Sequence, residues 1–248
     1  MTGNLLLRGM IAGFIAGIIA FGFARAYGEP QVDAAIAFEE KMAAIENPNA
    51  PAEPEAVSRE TQAGLGLFTG IVTYSTAMGG IFALVFAGLY GRFGSLGPRG
   101  LAAVLGVAAL VAIVIVPDLK YAPNPPAVGN PDTIGVRTSL FFVMIIASVA
   151  GLAGAFALSF NLRQRFGVWN AAIIAGIAYI AFIAAAQALL PSINEVPENF
   201  SAMNLYQFRL ATLGIQTIVW AVIALAFGFM AERVLVQSGN YRRLSPAR

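Results

Sequence analysis

Residues 100–117 read GLAAVLGVAALVAIVIVP, a run without one charged side chain. A helix needs about 20 consecutive apolar residues to cross the hydrocarbon core of a bilayer, and this run approaches that length. The chain contains five further stretches of the same apolar character, namely 9–27, 64–90, 138–160, 168–190 and 210–231. The sequence therefore predicts an all-α integral membrane protein, built as a bundle of six transmembrane helices.

The overall composition agrees with a protein embedded in lipid. Hydrophobic residues make up 58% of the 248 residues and charged residues only 11%, whereas a soluble domain carries about 25% charged residues. A water-soluble chain of this length would need a polar surface that this composition cannot supply. We expect residues 1–248 to form a single membrane domain.

Acidic and basic residues are unequally distributed among the segments that separate the apolar stretches. When alternate gaps are assigned to opposite faces of a membrane, 12 of the 13 acidic residues share one face, and only Glu232 lies on the other. Nine of the 15 basic residues share that other face with both termini. Because an excess of Lys and Arg marks the cytoplasmic side, we expect a multi-pass plasma-membrane protein with cytoplasmic termini and acidic outer loops.

The predicted outer loops are rich in proline. They comprise 28–62, 117–135 and 191–208. The first is expected to contain a short amphipathic helix over 30–45, with Pro30 in its first turn, followed by an extended segment over 47–55. The second holds five prolines between residues 117 and 132. Because proline interrupts both helices and strands, this segment is expected to be a non-helical collar, with an ordinary proline-rich surface loop as the alternative.

Glycines recur at four-residue spacing in the first two apolar stretches. Gly9, Gly13 and Gly17 would form a groove along one helix face, and Gly66 and Gly70 repeat the spacing. Such grooves allow helices to approach closely in lipid. The alternative is a substrate path lined by backbone. The polar side chains inside the spans that would line such a path are Thr73, Ser75 and Gln216.

The chain contains no cysteine and no histidine. Thiol chemistry and imidazole catalysis are therefore excluded, and no pair of acids lies inside a predicted span to perform acid–base chemistry. No ATP-binding glycine loop is present, and the basic residues are not interleaved with aromatic residues as in a nucleic-acid surface. We expect neither an enzyme nor a nucleic-acid-binding protein, and the sequence identifies no resident cofactor.

The loop sequences resemble those of the CbtA family. Within 119–138 the similar segments are LKY, NPP, VG, PDTIG and RT, and elsewhere they are GEPQVD (28–33), AFEE (37–40), NEVP (194–197), FRLA (208–211) and AERVL (231–235). The resemblance implies a cobalt transporter subunit of bacterial inner membranes, with the cobalt ion as substrate. It also implies a small single-span partner, CbtB, that carries a histidine-rich end.

Two groups of site residues follow from this reading. Divalent cobalt favours imidazole, with carboxylate and water as weaker ligands, and this chain offers oxygen ligands only. We hypothesise a loose cation vestibule formed by Glu29, Asp33, Glu39, Asn124, Asp132, Asn194 and Glu195. Any histidine ligands would come from the partner, and simple solvation of these acids is the alternative. At the outer helix ends, Lys120, Arg137 and Arg209 are predicted to pin the collar, and direct contact with the substrate is the alternative.

Two functions remain open from the sequence. The first is a membrane subunit that passes a small cation, cobalt by resemblance, driven by a gradient, the membrane potential or another subunit. The near absence of ionisable groups deep inside the spans argues against proton coupling. It therefore counts in favour of the second function, a non-transporting scaffold or accessory subunit that binds other helices, lipids or a hydrophobic cofactor.

Overall fold

A computed structural model of the protein describes residues 2–46, 48, 57–92 and 96–239. Its helices are α1 (Thr2–Phe23), α2 (Glu29–Glu46), α3 (Arg59–Thr61), α4 (Leu67–Leu89), α5 (Pro98–Ala109), α6 (Val116–Lys120), α7 (Ile134–Leu189) and α8 (Ala202–Gln237). Three π-helical segments, here called wide turns, join neighbouring helices: Ala24–Gly28, Gln62–Gly66 and Leu110–Ile115. A short 3-10 turn, Pro131–Thr133, precedes α7.

Among the described residues, five helical segments are long and apolar enough to cross a membrane. They are Thr2–Glu46, Arg59–Leu89, Pro98–Lys120, Pro131–Leu189 and Ala202–Gln237. The fourth is interrupted at Gly167, whose φ of 76° and ψ of 167° are not helical. This glycine lies between the predicted spans 138–160 and 168–190. The all-helical membrane class is confirmed, while the count of six spans stays a prediction.

The structure differs from the sequence prediction at Pro30. The predicted helix over 30–45 is present as α2 (Glu29–Glu46), but α1 continues into it through the first wide turn and does not end before this proline. A proline ring in an α-helix clashes with the carbonyl four residues earlier. Here the preceding residue, Glu29, donates its N–H to the carbonyl of Ala24, five residues back. The extra residue of the wide turn makes room for the ring.

Pro117 repeats this arrangement at the start of the predicted collar. The N–H of Val116 bonds to the carbonyl of Val111, again five residues back, and the helix continues to Lys120. The first residues of the predicted non-helical segment 117–135 are therefore helical. From Tyr121 to Asn130 the chain has no regular structure, as the prolines require.

Two further parts of the predicted loops need comment. Helix α8 begins at Ala202, within the predicted loop 191–208, because residues 202–209 (AMNLYQFR) are mostly good helix formers. Arg209 therefore lies inside this helix instead of opening it. Apart from Pro48, the predicted extended segment 47–55 lies outside the described residues.

The internal contacts divide the chain into two compact units. The first comprises Met1–Val107 and Ala202–Arg248, and the second comprises Ala108–Ser201. A single membrane domain over 1–248 stays a prediction.

In the first unit, α1 and α4 touch through their backbones. A Cβ atom at Gly9 would fall on the carbonyl oxygen of Gly79, and one at Gly13 would fall on that of Ser75. This is the close approach that the spacing of glycines in α1 predicts. The glycine of α4 that takes part in this close approach is Gly79, whereas a Cβ at Gly70 would meet nothing within 4 Å. The prediction that Gly66 and Gly70 repeat the groove is therefore wrong.

Helix α8 packs on the same pair through aromatic side chains. The ring of Phe227 meets Phe82 and Phe86 edge to face, with centroids 5.5 and 5.0 Å apart. Phe86 and Phe227 are fully buried. Gly214 of α8 accommodates the ring of Phe23, because a Cβ there would lie 2.7 Å from it.

The second unit has a smaller core. Val116, Met144 and Ile183 are buried together. The hydroxyls of Ser148 and Tyr179 lie 2.8 Å apart and join the two halves of α7 on either side of Gly167. These contacts hold the two halves of the interrupted helix side by side.

Candidate functional site

Three arrangements of polar residues could take part in function. The Arg59 cluster (Glu29, Asp33 and Arg59) and the polar layer (Ser75, Thr76, Gln216 and Trp220) lie in the first unit. The Glu195 cluster (Asn130, Thr133, Arg137 and Glu195) lies in the second.

The Arg59 cluster forms because two acids share one face of α2. Glu29 and Asp33 are four residues apart, which places both side chains on the same side of the helix. Arg59 follows Ser58, whose hydroxyl accepts the N–H of Thr61 at 3.4 Å and caps α3. The Arg59 Nη2 atom contacts Glu29 Oε2 and lies 2.8 Å from Asp33 Oδ1. The Glu29 side chain is only 8% exposed.

The cluster bears directly on the predicted vestibule. One arginine nitrogen lies between oxygens of two predicted ligands, so one of their two negative charges is already compensated. Glu39, the third predicted ligand on α2, is exposed. Among the described residues, no three acids, histidines or cysteines gather in a group that could hold a metal ion. An open cleft of about 490 Å³ adjoins the cluster and is lined by Ile36, Glu40, Val57, Arg59, Thr61, Gln62 and Gly66.

In the second unit, Glu195 ties its own loop to the start of α7. Its Oε2 accepts the backbone N–H of Asn130 at 2.7 Å, and its Oε1 accepts the hydroxyl of Thr133 at 2.6 Å. Arg137 Nε lies 3.4 Å from Oε2. The Thr133 hydroxyl, the Asn130 N–H and the Arg137 charge together hold the pKa of Glu195 below its usual value.

The guanidinium of Arg137 needs the small residue beside it. Gly129 has a φ of 128°, a conformation that favours glycine. A Cβ atom there would lie 2.6 Å from Arg137 Nη2. Gly129 thus permits both the backbone turn and the position of the arginine.

Two more contacts join the same segments of the second unit. Lys120 Nζ donates to Ser192 Oγ at 2.8 Å, and the Tyr121 hydroxyl donates to the carbonyl of Pro191 at 2.8 Å. The predicted collar residues Lys120 and Arg137 therefore both contact the segment 191–195. Arg209 belongs to the first unit, in α8.

The remaining predicted vestibule residues are not gathered into one site within the second unit. Asp132 and Asn194 are exposed, and Asn124 is half-buried. Glu195 is engaged by Arg137 and by hydrogen bonds. The vestibule stays a hypothesis.

The polar layer lies among α1, α4 and α8. Ser75 Oγ, Thr76 Oγ1, Gln216 Oε1 and Trp220 Nε1 are all buried, and none has a hydrogen-bond partner among the described residues. Leaving a buried polar atom unpaired costs about 1–3 kcal/mol. Two of the predicted path residues, Ser75 and Gln216, belong to this layer, whereas Thr73 is exposed.

Sequence reasoning missed several residues of these arrangements. Arg59 could have been found, because a capping serine precedes it and the two acids are spaced for one helix face. Thr133 and Asn130 carry no comparable signal, since their contacts depend on how the proline-rich segment folds back. Trp220 was hidden among ordinary span residues.

The fold and these arrangements define an α-helical integral membrane protein with acids paired to arginines at helix ends and polar atoms inside its bundle. A family model described as "Probable cobalt transporter subunit (CbtA)" matches residues 2–232, nearly the whole chain. The chain belongs to the CbtA family. Neither a curated protein nor a solved structure matches it.

Proposed function

We propose that the protein is the membrane-spanning subunit of a bacterial inner-membrane transporter that carries cobalt(II) together with a small, histidine-rich CbtB-like partner. The observation that carries the proposal is the match of the cobalt transporter subunit family over residues 2–232. The absence of histidine from the chain supports a separate source of imidazole ligands.

The proposed topology has six crossings with both termini in the cytoplasm. The basic gaps of the sequence support this orientation. Gly167 supports a sixth crossing, because its non-helical backbone divides Ile134–Leu189 between the apolar runs 138–160 and 168–190. Arg163 and Arg165, which precede this glycine, would then meet the cytoplasmic surface.

In this proposal the acidic segments concentrate the cation before it enters. Glu29 and Asp33 share Arg59, so an arriving cation competes with a resident positive charge. Lys120 and Arg137 hold the proline-rich collar against the following loop. Cation entry is further favoured by the membrane potential, at about 2.3 kcal/mol per charge per 100 mV.

Cobalt uptake by cells that produce the chain, its partner, both or neither tests the proposal. We expect uptake only when both are present. An Arg137→Ala variant, which frees the collar, should lower the rate, and Arg92→Ala is a matched control because its guanidinium bonds to the carbonyl of Gly88 at its own helix end. Uptake that is the same in all four strains would contradict transport and favour an accessory role.

A further inference from the structure

The contacts of three helices bring the polar layer to one level of the bundle. Helices α1 and α4 are antiparallel, because Gly9 lies against Gly79 whereas Gly17, further along α1, lies against Val72, earlier in α4. Helices α4 and α8 run in the same direction, because Tyr74 bonds to Gln216 while Phe82 meets Phe227.

These registers bring Ser75 and Thr76 to the same level as the turn of α8 that bears Gln216 and Trp220. On α1, the facing position is taken by Gly13 and Gly17, which carry no side chain that could bond to the layer. Gln216 and Trp220 are four residues apart and therefore share one face of α8.

The four polar atoms require something to bind. Ser75 is 0% and Trp220 is 3% exposed, and in lipid no water outside the bundle can satisfy them. Three of the four are oxygens that can coordinate a hard cation, and the Trp220 N–H can donate to a water molecule in the shell of that cation. Native structures rarely leave several such atoms unpaired.

The charge of the ligand follows from the chemistry of the layer. Hydroxyl and amide groups do not take up a proton near neutral pH, so the layer cannot act as a proton site. It contains no carboxylate, and the cost of desolvating an ion rises with the square of its charge. A divalent cation would therefore lack compensation, whereas neutral oxygens suit a monovalent ion.

We propose that Ser75, Thr76 and Gln216 bind a sodium ion whose water shell is completed beside Trp220. The inference rests on the proposed transport function and adds an energy source to it. The sodium gradient would drive the uptake of cobalt(II).

Thermal unfolding of the purified full chain in nanodiscs, without cobalt, tests the sodium site. Sodium is titrated against choline at constant ionic strength. We expect saturable stabilisation, with Tm rising by about 5–10 °C at roughly 100 times the dissociation constant. Ser75→Ala and Thr76→Val should abolish the shift. In choline they should be at least as stable as the wild type, since each removes an unpaired hydroxyl.

Thr217→Ala is the matched control. Its hydroxyl lies next to Gln216 but already donates to the carbonyl of Leu213 at 2.7 Å, so the variant should keep the full sodium shift. Equal Tm values in sodium and choline would overturn the site, as would a shift that persists in both Ser75→Ala and Thr76→Val. The first result would mean that the layer holds water alone.

Cobalt uptake distinguishes this inference from the proposed function. A sodium-dependent rise in Tm without cobalt uptake would contradict the transport proposal and support the sodium site. Cobalt uptake without a sodium shift, and without dependence on external sodium, removes the site and leaves transport standing.

Discussion

Two arginines determine how much free negative charge the acidic segments present to a cation. Arg59 occupies the space between the carboxylates of Glu29 and Asp33, and Arg137 lies beside Glu195. Acids that appear available in the sequence are thus partly compensated in the fold. Each arginine can be changed without altering the acids themselves.

Replacing Arg59 by glutamine should raise the affinity of the chain for divalent cobalt. The change releases two carboxylates from a part-buried ion pair, a gain of about 0.5–1.4 kcal/mol, or roughly two- to tenfold in affinity. Isothermal titration of the purified chain measures it. Arg99→Gln is the control, because Arg99 pairs with Glu232 at 2.5 Å and that pair lies away from the predicted vestibule. An unchanged affinity in Arg59→Gln would remove Glu29 and Asp33 from the vestibule.

Glu195 should release its loop only at acidic pH. In the folded protein the pKa of Glu195 is lowered, chiefly by the hydrogen bond from the Thr133 hydroxyl. The ionised carboxylate therefore contributes its full stabilisation above the usual carboxyl pKa. This contribution is lost as the pH falls through the lowered pKa. Thr133→Val should move the pKa back up towards the usual value. Carboxyl ¹³C NMR titration measures the shift, with the resonance assigned by its loss in Glu195→Gln. An identical titration in Thr133→Val would contradict the assigned cause.

At the scale of helices, backbone contact between α1 and α4 holds the first unit together. The sequence indicates the small face of α1, since Gly9, Gly13 and Gly17 are regularly spaced. It does not indicate which glycine of α4 contacts this face, because spacing alone cannot distinguish Gly70 from Gly79. That choice depends on how far the two helices slide along each other.

Gly79→Ala should destabilise the protein by about 1–3 kcal/mol, because its Cβ would fall on the carbonyl oxygen of Gly9. Gly70→Ala is matched in chemistry and lies in the same helix, but its Cβ would meet nothing within 4 Å. That control should be neutral or stabilise by up to about 1 kcal/mol through helix propensity. Thermal unfolding in nanodiscs compares the two. Equal losses of stability would mean that α1 and α4 do not touch at Gly79.

Helix ends were less predictable than helix positions. Apolar runs reveal where helices lie, because lipid requires every backbone group to be bonded within the segment. The ends depend on local hydrogen bonding that composition does not record. At Pro30 and Pro117 the general rule for proline failed, since a wide turn precedes each ring.

At the scale of the whole molecule, the number of crossings depends on one residue. The all-helical class and most of the spans could be predicted from hydropathy and charge. The sequence divides 138–190 into two apolar runs, and the structure separates the two corresponding halves of α7 by the non-helical backbone of Gly167. The pairing of acids with arginines could not be predicted, because it joins residues that are distant in sequence.

Thiol labelling can count the crossings, and the chain helps because it contains no cysteine. We expect a membrane-impermeant reagent to modify Asn194→Cys in intact cells, since this exposed residue follows the second half of α7. Gln164→Cys, also exposed and close to Gly167, should react only after the membrane is opened. Modification of both from outside would leave α7 with no crossing between them and would contradict the six-span topology.

The fit of Gly129 against Arg137 allows geometry and charge to be varied independently. A methyl group at position 129 would displace the guanidinium, while every ionisable group of the protein would remain. Gly129→Ala and Arg137→Ala should therefore weaken the same loop contact by different routes. A defect common to both variants would report loss of the loop contact itself, and one found only in the second would report the missing positive charge.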